Sequence, residues 1–469
     1  MPKEYRQDTI IKVLPGERFT PYSLAEKLHA KVVLESSSLN NGRERYSILL
    51  VDEAFKIVQS SGRSYMKKGN KLLEIKSQAK DILDVLNYFA EQHSPLKQNL
   101  PFPAGGLGFL SFEFCQYCDD IPLTNNPNPL NLPEAVFIFG HIFIIFDHYT
   151  DVIYLVGINY KESEINLTKA IDRTVDAIND LNFNYLAPKD NDFEVEVLTD
   201  SSVEEQYKAN VSFIKDEIVK GNLLQCVPSR RLQVKTKLPA LEAYRRLRSS
   251  NPSPYLFFFN FDDYQMFGSS PEVHVKVHEG KALIRPIAGT RRRGKTNQED
   301  LLLEKELLDD PKERAEHLML VDLARNDLGR LCEKETVQVT SYAQVERYSH
   351  VMHIVSNVEG LLKDNKNGMD AIRATFPAGT VSGAPKIQAI KTISQLESFE
   401  RGFYAGLVGY FEPGGNLDTC IAIRTGLKQG DVITLQAGGG IVHDSEPERE
   451  LEETNEKLRA LASSIGIEV

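Results

Sequence analysis

Short apolar runs with strand character, separated by clusters of Asn, Pro and Gly, dominate the first 190 residues of this chain. Residues 46–51, 135–139 and 152–156 are examples, rich in β-branched and aromatic side chains. Such runs favour strands, and the turn-forming clusters between them favour antiparallel connections. The chain lacks the regular alternation of strands and helices that a doubly wound parallel sheet requires. The pattern therefore predicts an α+β fold with large, mostly antiparallel sheets.

The second part of the chain mixes helical and strand patterns. Ser202 and Glu205 have the spacing of a capping box, and the apolar residues that follow share one helical face, which predicts a helix over 203–220. A polar stretch at 187–192 indicates a boundary near 195, dividing the chain into regions 1–194 and 195–469. Further helices are predicted at 298–328, 384–397 and 446–464, and strands at 254–261, 272–287, 404–412 and 419–427.

Charge and cysteine content narrow the class of protein. The chain has 469 residues with a net charge of −11, so its field repels nucleic acid, and any anionic ligand needs a local basic pocket. Five cysteines, an odd and sparse set, favour a reducing compartment over a disulfide framework. The most apolar stretch, 135–146, is too short to span a bilayer. We expect a cytoplasmic protein that binds neither nucleic acid nor membranes.

Residues 289–296 (GTRRRGKT) match the phosphate-loop pattern, and the run 318–322 imitates the apolar strand ending in a magnesium-binding Asp. A nucleotidase is therefore an alternative. The context argues against it, because 273–287 predicts an antiparallel hairpin, whereas a phosphate loop follows a buried parallel strand. Asp322 also lies in a segment with helical spacing. On this interpretation His274 and His278 occupy the wet face of a strand and are not metal ligands.

Two carboxylate pairs stand three residues apart on predicted helices: Glu313 with Glu316, and Glu450 with Glu453. Each pair shares a helix face, and Lys457 lies one turn beyond Glu453. The segment 446–456 is so charged that, taken alone, it indicates a solvated helix. Carboxylates brought from two separate helices would, however, suit Mg²⁺, which prefers few protein oxygens and leaves room for water and an anionic substrate.

Two glycine-rich segments complete the chemical pattern. Gly438, Gly439 and Gly440 precede the last helix and can present bare backbone N–H groups to a carboxylate or a phosphate. The segment 376–386 enters a helix at Pro385. Either segment is also compatible with a simple turn. These residues predict a magnesium and small-anion site but do not define a reaction.

Several of these segments, taken in order, resemble anthranilate synthase component I, a family of chorismate-utilising enzymes. The resemblance covers nearly the whole chain. It rests on residues 35–37 (ESS), 45–47 (RYS), 251–255 (NPSPY), 286–290 (PIAGT), 315–327 (AEHLMLVDLARND), 376–386 (FPAGTVSGAPK) and 436–442 (QAGGGIV).

The resemblance implies an α+β fold in which antiparallel sheets form a sandwich around the active site, with helices packed outside. It implies the conversion of chorismate and ammonia to anthranilate and pyruvate with Mg²⁺, the first committed step of tryptophan biosynthesis. Ammonia comes, in this family, from a glutaminase. Because no glutaminase-like region is present in the sequence, we expect that subunit to be another polypeptide in a hetero-oligomer.

By the same resemblance, Glu316 and Glu453 are the direct magnesium ligands, with Glu313 and Glu450 beside them through water or hydrogen bonds. The groups that resemble the receivers of chorismate's carboxylates are Gly289, Thr290, Tyr404, Arg424, Gly438, Gly439 and Gly440, with Lys457 as an additional counter-charge.

The resemblance also assigns the chemical steps. Glu272 is placed to protonate the departing C4 hydroxyl while ammonia adds at C2. His353 and Thr380 complete the site, and His353 is the candidate for the later proton removal and pyruvate loss.

Two positions separate this chain from relatives of the same family. Isochorismate and salicylate synthases carry a water-activating Lys where this chain has Gln225. Aminodeoxychorismate synthase component I, the folate-branch alternative, typically carries a nucleophilic Lys where this chain has Ala288, which cannot form the covalent adduct. Ammonia is therefore expected to attack directly. Gly439 and Pro228 depart from the common Ala and Leu, which affects only fine geometry.

The resemblance further implies feedback inhibition by tryptophan. The family binds it between a segment like 35–37 and one like 251–256. Glu35 and Ser36 can accept hydrogen bonds from an amino group, whereas Pro254, Tyr255 and Leu256 can supply backbone contacts and an apolar wall to an indole.

Overall fold

The structure, a computed structural model, describes residues 9–37, 45–76, 79–97, 100–180, 182–183, 193–348 and 351–468. The polar stretch 187–192 lies outside them. Within them the strands are β1 (Thr9–Pro15), β2 (Val32–Glu35), β3 (Tyr46–Ser60), β4 (Arg63–Lys68), β5 (Lys71–Glu74), β6 (Leu107–Leu110), β7 (Ala135–Asp147), β8 (Val152–Ile158), β9 (Val195–Val197), β10 (Gln225–Cys226), β11 (Ser229–Thr236), β12 (Tyr255–Asn260), β13 (Gln265–Ser270), β14 (Val273–His278), β15 (Lys281–Ile284), β16 (Ile287–Arg292), β17 (Gln338–Arg347), β18 (Val351–Leu361), β19 (Gly383–Ala384), β20 (Leu407–Phe411), β21 (Leu417–Ile421), β22 (Thr425–Gln429) and β23 (Val432–Gly438). The helices are α1 (Pro21–Lys27), α2 (Ile82–Ala90), α3 (Cys115–Cys118), α4 (Leu167–Asn179), α5 (Ser202–Val219), α6 (Ala240–Ser250), α7 (Asn297–Asp309), α8 (Pro311–Gly329), α9 (Gly368–Thr375), α10 (Lys386–Leu396) and α11 (Pro447–Ser464).

The two long strands β3 and β7 pair along most of their length. The antiparallel sheet extends from this pair in two directions, and we call the two extensions the first and the second strip. The first strip continues from β3 through β2, β12, β13, β22, β23 and β11 to β9. The second strip continues from β7 through β6, β20, β21, β14 and β15 to β18, which also pairs with β16 and β17. The predicted α+β fold with large antiparallel sheets is confirmed.

The two strips face one another as the layers of a sandwich. The hydroxyl of Tyr255 in the first strip donates to Oδ1 of Asp418 in the second strip at 2.7 Å. Side chains on β12 alternate: Phe257 and Phe259 point into the core between the layers, whereas Phe258 packs under α6. Because successive strand residues point to opposite faces, this alternation places helices α6 and α11 outside the sheet.

The helix predicted over 203–220 is present as α5, but its predicted capping box is wrong. Ser202 already lies inside the helix, and the N-cap residue Ser201 makes no side-chain capping bond. Instead, the backbone N–H of Ser202 donates to Oδ1 of Asp200 at 2.7 Å, so Asp200 satisfies a donor of the first turn. The helices predicted at 384–397 and 446–464 are confirmed as α10 and α11.

The single helix predicted over 298–328 is two helices, α7 and α8, separated at Asp310. Pro311 has no backbone N–H and is tolerated at the first position of a helix but not in its interior. The Asp310 carboxylate caps α8, because its Oδ1 accepts from the backbone N–H of Lys312 (2.9 Å) and of Glu313 (3.3 Å). The break therefore fixes the start of the helix that carries Glu313 and Glu316.

The strand predicted over 419–427 is also divided, into β21 and β22. Arg424 lies in the connection, with a positive φ of 50° that no regular strand accommodates. The strand predicted over 404–412 begins only at Leu407, which leaves Tyr404 in the preceding loop. Strands are confirmed at 254–261 and within 272–287, where β14 and β15 form the predicted hairpin.

The phosphate-loop pattern at 289–296 does not form a phosphate loop. Gly289 lies in β16, which pairs antiparallel with β18. The backbone N–H groups of Gly294 and Lys295 donate to the carboxylates of Asp300 and Glu299, so they are not available to cradle a phosphate. Asp322 is in the middle of α8. The structure therefore contradicts the nucleotidase alternative.

His274 does not lie on the wet face of its strand, contrary to the sequence-based interpretation, whereas His278 is exposed as expected. The pairing of β14 with β21 shifts register between Val273 and Val275, and helix α9 covers this end of the strand. As a result His274 is 3% exposed, with its ring 5.7 Å from that of Phe376.

Strands from both sides of residue 195 pair with one another, as in β2 with β12 and β6 with β20. The division into regions 1–194 and 195–469 stays a prediction. Among the described residues, no helix combines the length and the apolar character needed to cross a membrane, and the apolar stretch 135–146 belongs to strand β7.

Candidate active site

Helix α8 presents the first carboxylate pair, because Glu313 and Glu316 lie one turn apart near its capped start. The side-chain amide of Gln225 donates from Nε2 to Oε1 of Glu316 at 2.9 Å. Burial raises the pKa of Glu316, and the nearby negative charges of Glu313 and Glu453 raise it further. The ionised form of Glu316 therefore needs a positive charge beside it.

Helix α11 presents the second pair, and its charged sequence is not simply a solvated face. Glu450 is 7% exposed. Oε1 of Glu453 accepts from Nζ of Lys457 at 2.6 Å. Burial alone would raise the pKa of Glu453, but the ammonium of Lys457, with the charges of Lys312 and Arg424, outweighs burial and lowers it. Glu453 is therefore held as a carboxylate.

Tyr207, on the buried face of α5, lies beside this site, whereas the spacing of the helix predicted over 203–220 places it only on the apolar helix face. Its hydroxyl and Oε2 of Glu450 are both buried without a hydrogen-bond partner among the described residues. A methyl group on Gly439 would lie 3.0 Å from the Tyr207 hydroxyl and 3.1 Å from Oε2 of Glu450. Gly439 thus keeps a polar space open beside Glu450. A tyrosine among aliphatic residues indicates such a site, because a buried hydroxyl needs a partner.

The donor set at these helices fits Mg²⁺. Among the described residues no group of three or more His, Cys, Asp or Glu side chains is arranged to hold a metal ion. Mg²⁺ does not require such a cage, because it typically binds through one or two carboxylates, water and substrate oxygens. Glu316 and Glu453 offer one carboxylate from each helix within electrostatic range of one another. The unpartnered Oε2 of Glu450 suits a hydrogen bond from metal-bound water.

Arg424 has no ion-pair partner among the described residues. In the part of the chain that the structure describes, no carboxylate lies within 4 Å of its guanidinium. Burial lowers its pKa, while the phenol of Tyr404 and the charge of Glu453 oppose this effect. Its carbonyl oxygen accepts from the backbone N–H of Ser269 at 3.0 Å, which holds the residue in its unusual conformation. A guanidinium in this state is suited to bind an incoming carboxylate bidentately.

The glycine segment packs against this region too closely for any side chain. A Cβ on Gly438 would lie 2.4 Å from the carbonyl oxygen of Pro228 and 2.9 Å from the Tyr404 hydroxyl. A Cβ on Gly440 would lie 2.6 Å from Nε2 of Gln225. Tyr404 is buried, which raises its pKa to about 12, so its hydroxyl remains a hydrogen-bond donor at neutral pH.

Glu272 immediately precedes β14 and is 8% exposed. Burial raises its pKa to about 7, and this effect is larger than the opposing influence of the Thr380 hydroxyl and the Lys457 ammonium. The Thr380 hydroxyl lies beside the carboxyl without completing a hydrogen bond of normal geometry. A carboxyl with this pKa is partly protonated near neutral pH and can act as a general acid.

His353 on β18 faces Gly289 and Thr290 on β16. Its Nδ1 lies 3.0 Å from the carbonyl oxygen of Gly289 and 3.1 Å from Oγ1 of Thr290. Because a carbonyl only accepts, Nδ1 carries the hydrogen and Nε2 is the bare acceptor in the neutral ring. Burial and the charge of Arg424 lower the pKa of His353 to about 4, so the ring is neutral. Gly289 has a φ of 59°, and a Cβ there would meet Leu307 at 2.9 Å.

The structure also brings together the two segments expected to bind tryptophan. Glu35 pairs with Leu256 across β2 and β12, and the backbone N–H of Ser37 donates to the carbonyl oxygen of Ser253 at 3.1 Å. Ser36 and Pro254 flank these contacts at the strand ends. The carboxylate of Glu35 is already engaged, because Oε2 accepts from the Tyr244 hydroxyl and from Nε of Arg248, both at 2.7 Å.

Comparisons with a family model, with related sequences and with a solved structure all point to the same family. Residues 38–463 match the family model described as chorismate binding enzyme. The chain is 62% identical to anthranilate synthase component 1 of Spirochaeta aurantia over 98% of this chain and 96% of that protein. It is 38% identical to anthranilate synthase component 1 of Aquifex aeolicus over 96% and 92% of the two chains. The crystal structure of anthranilate synthase component I from Streptococcus pneumoniae TIGR4 superposes with a TM-score of 0.79 at 35% identity, covering 89% of this chain and 92% of that one.

Proposed function

This chain belongs to the anthranilate synthase component I family of chorismate-binding enzymes, and from that membership we propose how its site performs the reaction. The enzyme acts on chorismate and forms anthranilate. We propose in addition that it uses ammonia and Mg²⁺, that a separate glutaminase supplies the ammonia, and that tryptophan inhibits it.

Substrate binding is assigned to the groups that surround Arg424. The guanidinium of Arg424 and the hydroxyl of Tyr404 bind one carboxylate of chorismate, assisted by backbone N–H groups at Gly289–Thr290 and at 438–440. Mg²⁺, held by Glu316 and Glu453, would neutralise the ring carboxylate. The support for this assignment is the absence of an ion pair at Arg424 in the described chain, together with the close packing of Gly438 on Tyr404.

Glu272 and His353 carry the proton transfers. Protonated Glu272 donates its proton to the C4 hydroxyl, which leaves as water while the nitrogen of ammonia bonds to C2. The added nitrogen returns one proton to the Glu272 carboxylate. Bare Nε2 of His353 then accepts the C2 proton while the C3–O bond breaks, which makes the ring aromatic. The enolpyruvate that leaves takes up this proton at its methylene carbon and becomes pyruvate. Support comes from the raised pKa of Glu272 and from the hydrogen bond that fixes the tautomer of His353.

The identity of the nucleophile follows from two positions. The amide of Gln225 is not basic and donates to Glu316, so it does not activate water for attack. Ala288 cannot form a covalent adduct at C2, which distinguishes the chain from the folate-branch alternative, aminodeoxychorismate synthase component I. We therefore assign direct attack by ammonia.

We assign the partner subunit and the cellular compartment by analogy with the family. Glutamine-dependent activity requires a glutaminase subunit, with which this chain forms a hetero-oligomer. All five cysteines are free, which agrees with a reducing, cytoplasmic location. Region 1–194 contributes Glu35 and Ser36 to the tryptophan site, and region 195–469 carries the catalytic groups with Pro254, Tyr255 and Leu256.

The observation that best supports one common site for the metal, the anion and the acid is the position of Lys457. Nζ of Lys457 contacts Oε1 of Glu453 at 2.6 Å and donates to the carbonyl oxygen of Gly438 at 2.8 Å. The positive charge of the same ammonium lowers the pKa of Glu272 and the pKa of Glu316. The proposed metal ligands, the glycine segment and the proposed acid Glu272 therefore all lie within range of one positive charge.

Lys457→Met tests this arrangement. Loss of the counter-charge should raise the KM for chorismate by roughly 10-fold. The Mg²⁺ concentration for half-maximal activity should fall, because the ammonium no longer competes for Glu453. Lys208→Met is a matched control. Lys208 lies on α5 and pairs at 3.0 Å with Glu448 at the exposed start of α11, the helix that carries Lys457. A variant in which only one of the two parameters moves, or neither, contradicts a shared site.

A further inference from the structure

A cavity of about 30 Å³ adjoins Glu272. Its polar lining is formed by Glu272, His274, Asp327, Thr375 and Thr380, and the rest of its wall is mainly apolar. This volume is enough for one water molecule, which requires about 10–15 Å³ and two to four polar partners. None of the groups assigned to substrate binding or metal binding uses this cavity.

The contacts of Thr375 favour one tautomer of His274. Oγ1 of Thr375 donates its hydrogen to the carbonyl oxygen of Ala371 at 2.8 Å, so towards the ring it can only accept. The long contact of 3.4 Å between Nε2 of His274 and Oγ1 of Thr375 therefore favours the tautomer that carries the ring hydrogen on Nε2. Burial, with the charge of Lys386, lowers the pKa of His274 to about 3, so the ring is neutral.

Nδ1 of His274 is consequently a bare acceptor, and it is buried without a hydrogen-bond partner among the described residues. An unpaired buried acceptor is costly, and a water O–H is the smallest donor that could satisfy it. Glu272 and His274 are two residues apart and line the same cavity.

We propose that this cavity binds one water molecule, which donates to Nδ1 of His274 and accepts from the protonated carboxyl of Glu272, with the Thr380 hydroxyl as a third partner. His274 is then a positioning residue that stabilises the acid form of Glu272. This role rests on the proposed function of Glu272 as general acid; the water site itself does not.

In the described part of the chain, four charged or titratable groups act on this pair or lie beside it. Lys457 and Tyr348 interact electrostatically with Glu272. Asp327 and Lys386 lie on the side of His274 and are paired with each other at 2.8 Å. Because these groups stay the same in His274 variants, a change in the titration of Glu272 reports on the water.

Two substitutions separate the roles of the ring nitrogens. In His274→Asn, Oδ1 takes the place of Nδ1 and keeps the acceptor, whereas in His274→Gln the amide reaches only the place of Nε2. The activity of the wild-type chain should fall as pH rises through the pKa of Glu272, about 7. We expect this limb of kcat/KM to move down by roughly 0.5–1 pH unit in His274→Gln, the effect of one neutral hydrogen bond, and to stay in place in His274→Asn. An unmoved limb in His274→Gln, or equal shifts in both variants, overturns the proposal.

A crystal structure of the wild-type chain tests the water independently of any variant. We expect an ordered water within about 3.2 Å of Nδ1 of His274 that also contacts Glu272 or Thr380. A cavity in which Nδ1 contacts no water overturns the proposal even if the variants fail to fold. A wild-type chain that makes no anthranilate would instead refute the proposed function and leave this crystallographic result to decide the water site.

Discussion

Replacing Arg424 by Lys tests the anion site with little risk to the fold. Lys keeps the positive charge, and any residue with a Cβ experiences the same backbone conformation at φ 50°. No described carboxylate pairs with the guanidinium, so the substitution leaves no buried protein charge without its partner. The melting temperature should therefore stay within about 2 °C of wild type.

The loss should appear in catalysis instead. An ammonium cannot reproduce the two parallel hydrogen bonds of a guanidinium to a carboxylate, and a hydrogen bond to a charged group contributes about 1.5–3 kcal/mol. We therefore expect kcat/KM for chorismate to fall about 10- to 150-fold, mostly through KM. Anthranilate fluorescence gives the rate, and calorimetry gives the melting temperature.

Arg325→Lys is the matched control, because Arg325 lies on the exposed side of α8 and, among the described residues, forms an ion pair only with Asp322, at 3.0 Å. Its kinetics should equal those of wild type. An Arg424→Lys enzyme with wild-type kcat and KM would refute the assignment of Arg424 to chorismate. A large fall in melting temperature would show that Arg424 has a structural role that the contacts described above do not include.

Three further predictions concern the metal, the acid and the inhibitor. Glu316→Gln and Glu453→Gln should each abolish activity at ordinary Mg²⁺ while the chain stays folded, because an amide lacks the charge that the cation requires; near-wild-type rates with unchanged Mg²⁺ dependence would contradict this. Burial raises the folded-state pKa of Glu272 to about 7 from 4.5, so the folded chain binds more protons than the unfolded chain in this window. Stability should therefore fall as pH rises from about 4.5 to 7, and Glu272→Gln should reduce that fall in calorimetric scans. Ser36→Phe should keep activity and lose inhibition by tryptophan, and a variant that is still fully inhibited would argue against the 35–37 segment as part of the pocket.

Local patterns predicted the elements that carry the carboxylates. The helical spacing of Glu450 and Glu453 and the Val–His alternation at 273–278 both correspond to elements of the structure. Charge composition alone was misleading for α11, because a helix with many acidic residues still buries one face: Leu458 is fully buried. The spacing of residues predicts which face of a helix or strand a side chain occupies. Whether that face is exposed to solvent depends on how other elements pack against it.

Long-range packing accounts for what the sequence could not predict. The alternation at β14 assigned His274 to solvent, and its burial depends on α9, which is about a hundred residues away in the chain. The connection at Arg424 reads as continuous strand, because nothing local marks the positive φ that the contact with Ser269 stabilises. Tyr207 similarly gains its role only where Gly439 approaches it.

The most direct test of the account uses the purified chain with chorismate, Mg²⁺ and an ammonium salt, without glutamine. We predict that anthranilate and pyruvate form in equal amounts, and that glutamine replaces ammonium only after a glutaminase subunit is added. Accumulation of aminodeoxychorismate without release of pyruvate would contradict the account and assign the chain to the folate branch.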